Sequence, residues 1–161
     1  SRHKNHMLVI KAVEILKNKG IQVLVAFSGK EHDYRSPGYT DSIKNYVVEH
    51  DLHENIKFLG FLDRVDQLKL MELSAAIIQP SLFEGWSTVI EEAMAMNKKV
   101  LASDLDVNKE QLGDKGIYFN RNDANECAEV IERFLESPTT VSFDYKKKQL
   151  DFARDFMSCL N

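Results

Sequence analysis

The chain has 161 residues, of which 43% are hydrophobic and 29% charged, and it carries a formal net charge of −4. That length suits one domain able to bury roughly 70% of its unfolded surface. The mildly acidic balance argues against a nucleic-acid binder, and no apolar run reaches the ~18 residues that a bilayer requires. No signal peptide is visible, so a cytoplasmic location is expected. Cys127 and Cys159 lie far apart without metal-type spacing and read as buried or idle thiols in a reducing compartment. The basic run Lys146–Lys147–Lys148 reads as a solvated helix face.

The first predicted element is a helix that Asn5 would cap, with Leu8, Ala12, Ile15 and Leu16 on one face and Gly20 at its end. Residues 22–27 are β-rich and nearly all apolar, which predicts a strand buried on both faces. Residues 28–40 mix glycine, proline and charge and read as a long loop. A helix over 42–49, a strand over 56–59 and a helix over 64–73 follow. Residues 75–79 are a short apolar strand that must end at Pro80, which cannot donate to a ladder. The helix over 87–96 is rich in apolar residues (Val89, Ile90, Ala93, Met94, Met96), and Thr88 with Glu91 matches a capping box. Strands over 100–102 and 117–119, an amphipathic helix over 124–135 and a last helix over 144–160 complete the order.

This alternation predicts an α/β fold, a Rossmann-like parallel sheet with helices on both faces. Ligands of such sheets bind beyond the carboxyl ends of the strands. The loops 28–30, 60–61, 81–87 and 103–104 would share that rim. A parallel βα alternation normally begins on a strand, so a strand ahead of Ser1 is expected.

The stretch from Pro80 to Ala95 carries the chemistry. A helix start following Gly85 offers free N–H groups and the positive end of a dipole to a phosphate. Carboxylates accept hydrogen bonds only, so Glu84 and Glu92 suit a hydroxyl-rich ligand such as ribose or hexose. Asp104 and Asp106 imitate a divalent-ion motif, but aspartate is common after strands, and no metal is expected. The five histidines show no zinc spacing, and no Gly-x-Ser-x-Gly points to a serine hydrolase.

Pro80-Ser81-x-x-Glu84-Gly85, the seven residues between Glu84 and Glu92, and Glu92-Ala93-Met94-Ala95 resemble the retaining GT-B glycosyltransferases of family 4. Lys4–Asn5–His6, Phe58–Leu59–Gly60, Ala102–Ser103–Asp104, Asp33–Tyr34–Arg35 and Tyr118–Phe119 with Asp123 agree in order. The resemblance covers nearly the whole chain but only the C-terminal, donor-binding half of such an enzyme. It implies one half of a GT-B architecture, with an N-terminal acceptor domain as partner. The first strand would join the two domains, and membrane contact would come through the acceptor domain, peripherally at the inner face.

The resemblance also implies transfer of a sugar from a nucleoside-diphosphate sugar to an acceptor, with retention, as in polysaccharide biosynthesis. Glu84 would hold hydroxyls of the transferred sugar, Glu92 the ribose, and Lys4 the diphosphate, which would also rest on the helix start at Ser87–Thr88. Gly85 and Trp86 would offer backbone donors, and Gly60, Phe61 and Leu62 would hold the base edge. The family places a second basic residue ahead of the lysine, at a position before Ser1. It also has Cys-Gly and a proline where this chain has Met96-Asn97-Lys98-Lys99; Asn97 can take the left-handed conformation that glycine supplies there. The alternatives are a non-catalytic Rossmann-like module for a sugar nucleotide or a partner, and a sugar-nucleotide epimerase, which would lack the Pro-Ser-x-x-Glu-Gly wording.

Overall fold

The computed structural model describes residues 2–30 and 38–144, with isolated positions 147, 150, 154 and 158 beyond them. Within these residues five strands alternate with six α-helices. Strands β1 (Val25–Ser28) and β2 (Ile56–Gly60) pair in parallel, and β3 (Ile77–Gln79), β4 (Val100–Ser103) and β5 (Ile117–Phe119) form a second parallel set in that order. The helices are α1 (His6–Asn18), α2 (Tyr39–Glu49), α3 (Arg64–Leu73), α4 (Thr88–Ala95), α5 (Asp106–Leu112) and α6 (Ala124–Glu136).

The expected two-sided cover of helices is present, and β4 shows why. Side chains alternate across a strand. Leu101 joins α1 and α6 in one apolar cluster, while Val100 and Ala102 join Met71 of α3, Ile90, Ala93 and Met94 of α4, and Leu112 of α5 in another. All four residues of β4 are buried, so this strand, rather than the segment over 22–27, is the one enclosed on both faces. In β1 the half-buried Val25 and Phe27 alternate with exposed Ala26 and Ser28, and Leu24 stands outside the strand.

Helix α1 carries two apolar stripes with different neighbours. Leu8, Ala12 and Leu16, at i, i+4 and i+8, pack with Leu101, Phe119 and α6. Val9, Ile10 and Val13 pack with α2, Ile56, Val25 and Phe27. Ile78 of β3 touches both clusters. The helix thus holds together two sheets that exchange no ladder hydrogen bonds with each other among the described residues.

Several boundaries differ from the sequence reading. Asn5 precedes α1 with φ 55° and its side chain does not cap that helix. Helix α2 begins at Tyr39, inside the stretch read as a loop. Helix α5 has no counterpart in the reading, because its buried residues Asn108, Gln111 and Leu112 are mostly polar and leave no apolar period. Asn97 takes φ 53° after α4, and the N–H of Lys98 reaches back to Ala93 O at 2.8 Å, so asparagine does serve the helix end in place of glycine. Cys127 is buried against α1 and β4, which pushes its thiol up to about 12 and leaves it inert. The Asp33–Tyr34–Arg35 stretch, Cys159 and the helix read over 144–160 lie outside the described residues, apart from the isolated positions named above.

Candidate functional site

Strand β3 stops at Gln79, and Pro80 turns the chain over the end of β4, where Ser103 Oγ donates to Ser81 O at 2.7 Å. Ser81 is fully buried there. Its hydroxyl donates to Glu84 Oε1 at 2.8 Å, and Gln79 Nε2 donates to the same oxygen at 2.9 Å and to Ser87 Oγ at 3.1 Å. Lys4 Nζ completes the set at 2.5 Å. One carboxylate oxygen therefore gathers three donors, and the Glu84 side chain is only 12% exposed.

Lys4 reaches Glu84 across 80 positions of sequence because the residues around it are pinned to the same loop. The N–H of Leu82 donates to His3 O at 2.8 Å. Asn5 Nδ2 donates to Pro80 O at 3.1 Å and to Arg121 O at 2.9 Å, so the side chain expected to cap α1 instead ties the start of the chain to the ends of β3 and β5. Next to it His6 sets its ring edge-on to Phe27 of β1. Burial first, then nearby positive charge, pushes its pKa down to about 4, so it is neutral at physiological pH.

The cap of α4 is Ser87, one residue earlier than the Thr88–Glu91 pattern predicts. Ser87 Oγ accepts from the N–H of Ile90 at 3.3 Å, and Thr88 is the first helical residue. Glu91 is drawn elsewhere: its Oε1 accepts from Trp86 Nε1 at 3.1 Å and from Gln111 Nε2 at 3.0 Å. Gln111, 1% exposed, also takes the Ser87 N–H at 3.0 Å and donates to Ser87 O at 3.1 Å. The N–H of Ser87 is thereby engaged within the protein. Gly85, Trp86 and Thr88 are the exposed part of this helix start.

Glu92, in the second half of α4's first turns, meets a different element. Arg64, the first residue of α3, places Nη1 2.7 Å from Glu92 Oε1. The second oxygen, Oε2, is buried and has no hydrogen-bond partner among the described residues. Arg64 follows the loop after β2, where Gly60 (φ 65°) turns the backbone and its carbonyl accepts from Gly29 N–H at 2.8 Å. Phe61 is 74% exposed, and with Leu62, Ser28, Gly29, Lys30 and Gln67 it lines a cleft of about 220 Å³. The predicted residues thus form two neighbouring groups: Lys4 with Glu84 beneath the helix start, and Glu92 joined through Arg64 to the Gly60–Phe61–Leu62 loop.

Asp104 is committed to protein contacts, accepting from Arg121 N–H at 3.3 Å with the guanidinium at 3.4 Å. Among the described residues no three His, Cys, Asp or Glu side chains group as metal ligands would. Sequence reasoning missed Gln79, Ser81 and Gln111 as supports of the site, and Arg64 as the partner of Glu92. Ser81 stood inside the recognised motif. The other three join residues 5 to 28 positions apart, and no local pattern marks them.

A family model described as Glycosyl transferases group 1 matches residues 1–152. Among curated proteins, the O-antigen chain mannosyltransferase RfbU of Salmonella typhimurium is 30% identical over 105 residues, 65% of this chain and 30% of that protein. Protein CapJ of Staphylococcus aureus is 29% identical over 136 residues, 84% of this chain and 33% of that one. The chain therefore spans about a third of the length of these relatives. Among solved structures, Alr3699/HepE of Anabaena in complex with UDP superposes with a TM-score of 0.79 at 21% identity, covering 98% of this chain and 46% of that one. A glycosyltransferase of Rickettsia africae gives 0.75 at 24% identity, over 95% and 39%. These structural neighbours have the GT-B fold, and the likeness establishes the Rossmann-like architecture.

Proposed function

Since the chain belongs to the glycosyl transferases group 1 family, we propose that it supplies the donor-binding half of a retaining family 4 glycosyltransferase. It would take the C-terminal position in a GT-B enzyme that transfers a hexose from a nucleoside-diphosphate sugar. The observation that carries this reading is the pair of glutamates flanking one helix start. Glu84 is anchored through Oε1 to Lys4, Gln79 and Ser81, and Glu92 holds a buried oxygen without a donor. Two carboxylates beside exposed backbone donors suit a ligand with hydroxyls at both ends and phosphates between them.

In this reading Glu92 accepts from the ribose and Glu84 from the transferred sugar. Lys4, already within reach of Glu84, places its charge beside the diphosphate. With the Ser87 N–H taken by Gln111, the backbone contacts to phosphate fall to Gly85, Trp86 and Thr88, and the base edge to Gly60, Phe61 and Leu62. Departure of the nucleoside diphosphate builds negative charge where the helix start and Lys4 stabilise it. Retention follows from attack on the same face as departure, with the leaving phosphate taking the acceptor's proton, so no enzyme nucleophile is needed. No metal is proposed, and no nucleic acid.

Among the described residues β1 and β3 each have an edge with no strand beside it, which supports a further part of the reading. A strand running parallel to both would join the two sheets under α1, as right-handed crossover into α1 requires. We assign that strand, and the acceptor site, to the remainder of the enzyme, as an N-terminal domain. Peripheral membrane contact at the inner face would belong to that domain too; no helix of the described residues is long and apolar enough to cross a membrane. The O-antigen chain mannosyltransferase relative favours polysaccharide assembly as the setting, and a cytoplasmic location is part of the proposal.

Calorimetry with UDP, GDP, ADP and their sugars tests the proposal. Glu92→Ala should weaken the preferred nucleoside diphosphate ten- to a hundredfold, from the ~1.5–3 kcal/mol of a charge-assisted hydrogen bond. Binding by none of the three diphosphates would refute it, and binding of a sugar nucleotide without transfer by the intact protein would leave a non-catalytic module.

A further inference from the structure

Glu92 is the acceptor assigned to ribose, yet its two oxygens are both closed to a ligand in different ways. Oε1 holds the Arg64 guanidinium at 2.7 Å, and Oε2 is buried with no donor among the described residues. A vicinal diol engages a carboxylate best through both oxygens. An ionised oxygen buried without a donor is a costly arrangement, and it is relieved when a hydroxyl reaches it. Something must move for that to happen. The Glu92 side chain is 19% exposed and lies on a packed helix, whereas Arg64 is 57% exposed at the first position of α3, beside the Gly60–Phe61–Leu62 loop. The guanidinium is the part free to leave.

We propose that Arg64 is a further residue of the donor site, a counter-ion that competes with the ribose hydroxyls for Glu92 and is exchanged for them when a nucleoside diphosphate binds. This rests on the ribose reading of Glu92. An interaction made only in the unliganded arrangement lowers ligand affinity by its own free energy. A partly exposed ion pair sets the size: Arg64→Ala tightens nucleoside-diphosphate binding by about two- to fivefold. Arg64→Lys keeps a cation in place and retains most of the competition. The gain requires both the carboxylate and the diol, so it vanishes in a Glu92→Ala background and shrinks for the 2′-deoxynucleotide.

The experiment is a double-mutant cycle by calorimetry on the intact protein that contains these residues. It uses wild type, Arg64→Ala, Arg64→Lys, Glu92→Ala and the double variant, each titrated with UDP, GDP and their 2′-deoxy forms. Tighter binding by Arg64→Ala, near-wild-type binding by Arg64→Lys, and no effect of Arg64→Ala once Glu92 is removed bear the inference out. Weaker binding by Arg64→Ala would overturn it, because Arg64 would then hold the nucleotide or position Glu92. An undiminished Arg64 effect in the Glu92→Ala background would overturn it as well. If Glu92→Ala leaves binding unchanged, the ribose reading itself fails, whereas an intact Glu92 effect with a silent Arg64 overturns the counter-ion role alone.

Discussion

Glu84→Ala is the perturbation whose cost the structure allows to be worked out. The side chain is 12% exposed, and its Oε1 takes three donors that fare differently once it is gone. The hydroxyl of Ser81 is fully buried and loses the acceptor that it donates to, a penalty of about 1–3 kcal/mol. Gln79 Nε2 loses one bond at 2.9 Å but keeps Ser87 Oγ at 3.1 Å, which limits its share to about 1 kcal/mol. Lys4 is 40% exposed and regains water, so its share is about 0–1 kcal/mol. The sum is about 2–5 kcal/mol, a large part of the ~5–15 kcal/mol that holds a domain together. A chain of this size moves by about 2–4 °C per kcal/mol, so the midpoint should fall by about 4–20 °C.

Glu84→Gln separates architecture from chemistry. It keeps an oxygen for Ser81 and Gln79 while removing the charge that faces Lys4, so its stability should fall by no more than about 1 kcal/mol. Sugar transfer by the intact enzyme should be lost in both variants. Urea denaturation at constant m-value, beside a transfer assay, reads the two effects apart. A Glu84→Ala protein within about 0.5 kcal/mol of wild type would refute the claim that this carboxylate organises the loop. Because Lys4 is tethered to Glu84, the alanine variant also loosens the diphosphate contact, and the glutamine variant is the cleaner probe of sugar recognition.

Gln111→Leu should cost about 1–3 kcal/mol by urea denaturation, since it leaves the buried N–H of Ser87 unpaired, while the Ser87 carbonyl keeps the N–H of Glu91 at 3.2 Å; a loss below about 0.5 kcal/mol would contradict that. His6 is neutral in the folded chain, with a pKa of about 4 against 6.5 unfolded, so the unfolded state binds the extra proton between those values. Stability should be fully present above pH 6.5 and decline by about 2–4 kcal/mol on acidification to pH 4, and His6→Phe should remove that component of the pH profile. Nucleoside-diphosphate binding should persist in excess EDTA, because Lys4 and the α4 start supply the positive field; a strict need for Mg²⁺ or Mn²⁺ would return Asp104 to consideration.

The elements that could be read from the sequence are those whose physics is local. Helices α3 and α6 stand within a residue of expectation: Asp63 and Asp123 cap them through side-chain oxygens, and α6 has an unbroken apolar face. Their signals lie within a few neighbouring residues. Helix α5 escaped because what it buries is amide rather than hydrocarbon: Asn108 serves Ser103 and Gln111 serves Ser87. Burial of that kind repays itself through hydrogen bonds, and hydrophobic periodicity cannot register it. The segment over 22–27 misled for a related reason. Its run of apolar residues fits a strand covered on both faces, but Ala26 and Ser28 of β1 are exposed, and Leu24 stands 65% exposed.

The candidate site divides in the same way. Glu84, Gly85 and Glu92 were legible because one strand–loop–helix unit carries all three, and the spacing of such a unit is written in consecutive residues. What positions them was not. Lys4 meets Glu84 only because His3 and Asn5 bind the Pro80–Leu82 backbone, and Arg64 meets Glu92 only because α3 begins beside α4. Asn5 shows the ambiguity at one residue. In sequence it is a fitting N-cap, since asparagine before an apolar helical run has that role in many helices. In the fold it takes φ 55° and turns its amide to Pro80 and Arg121, two carbonyls at strand ends 75 and 116 positions away. Its own helix loses a cap worth about 1 kcal/mol and the loop gains two tethers. The choice between those outcomes is made by tertiary packing, which brings the carbonyls within reach, and no window of neighbouring residues contains it.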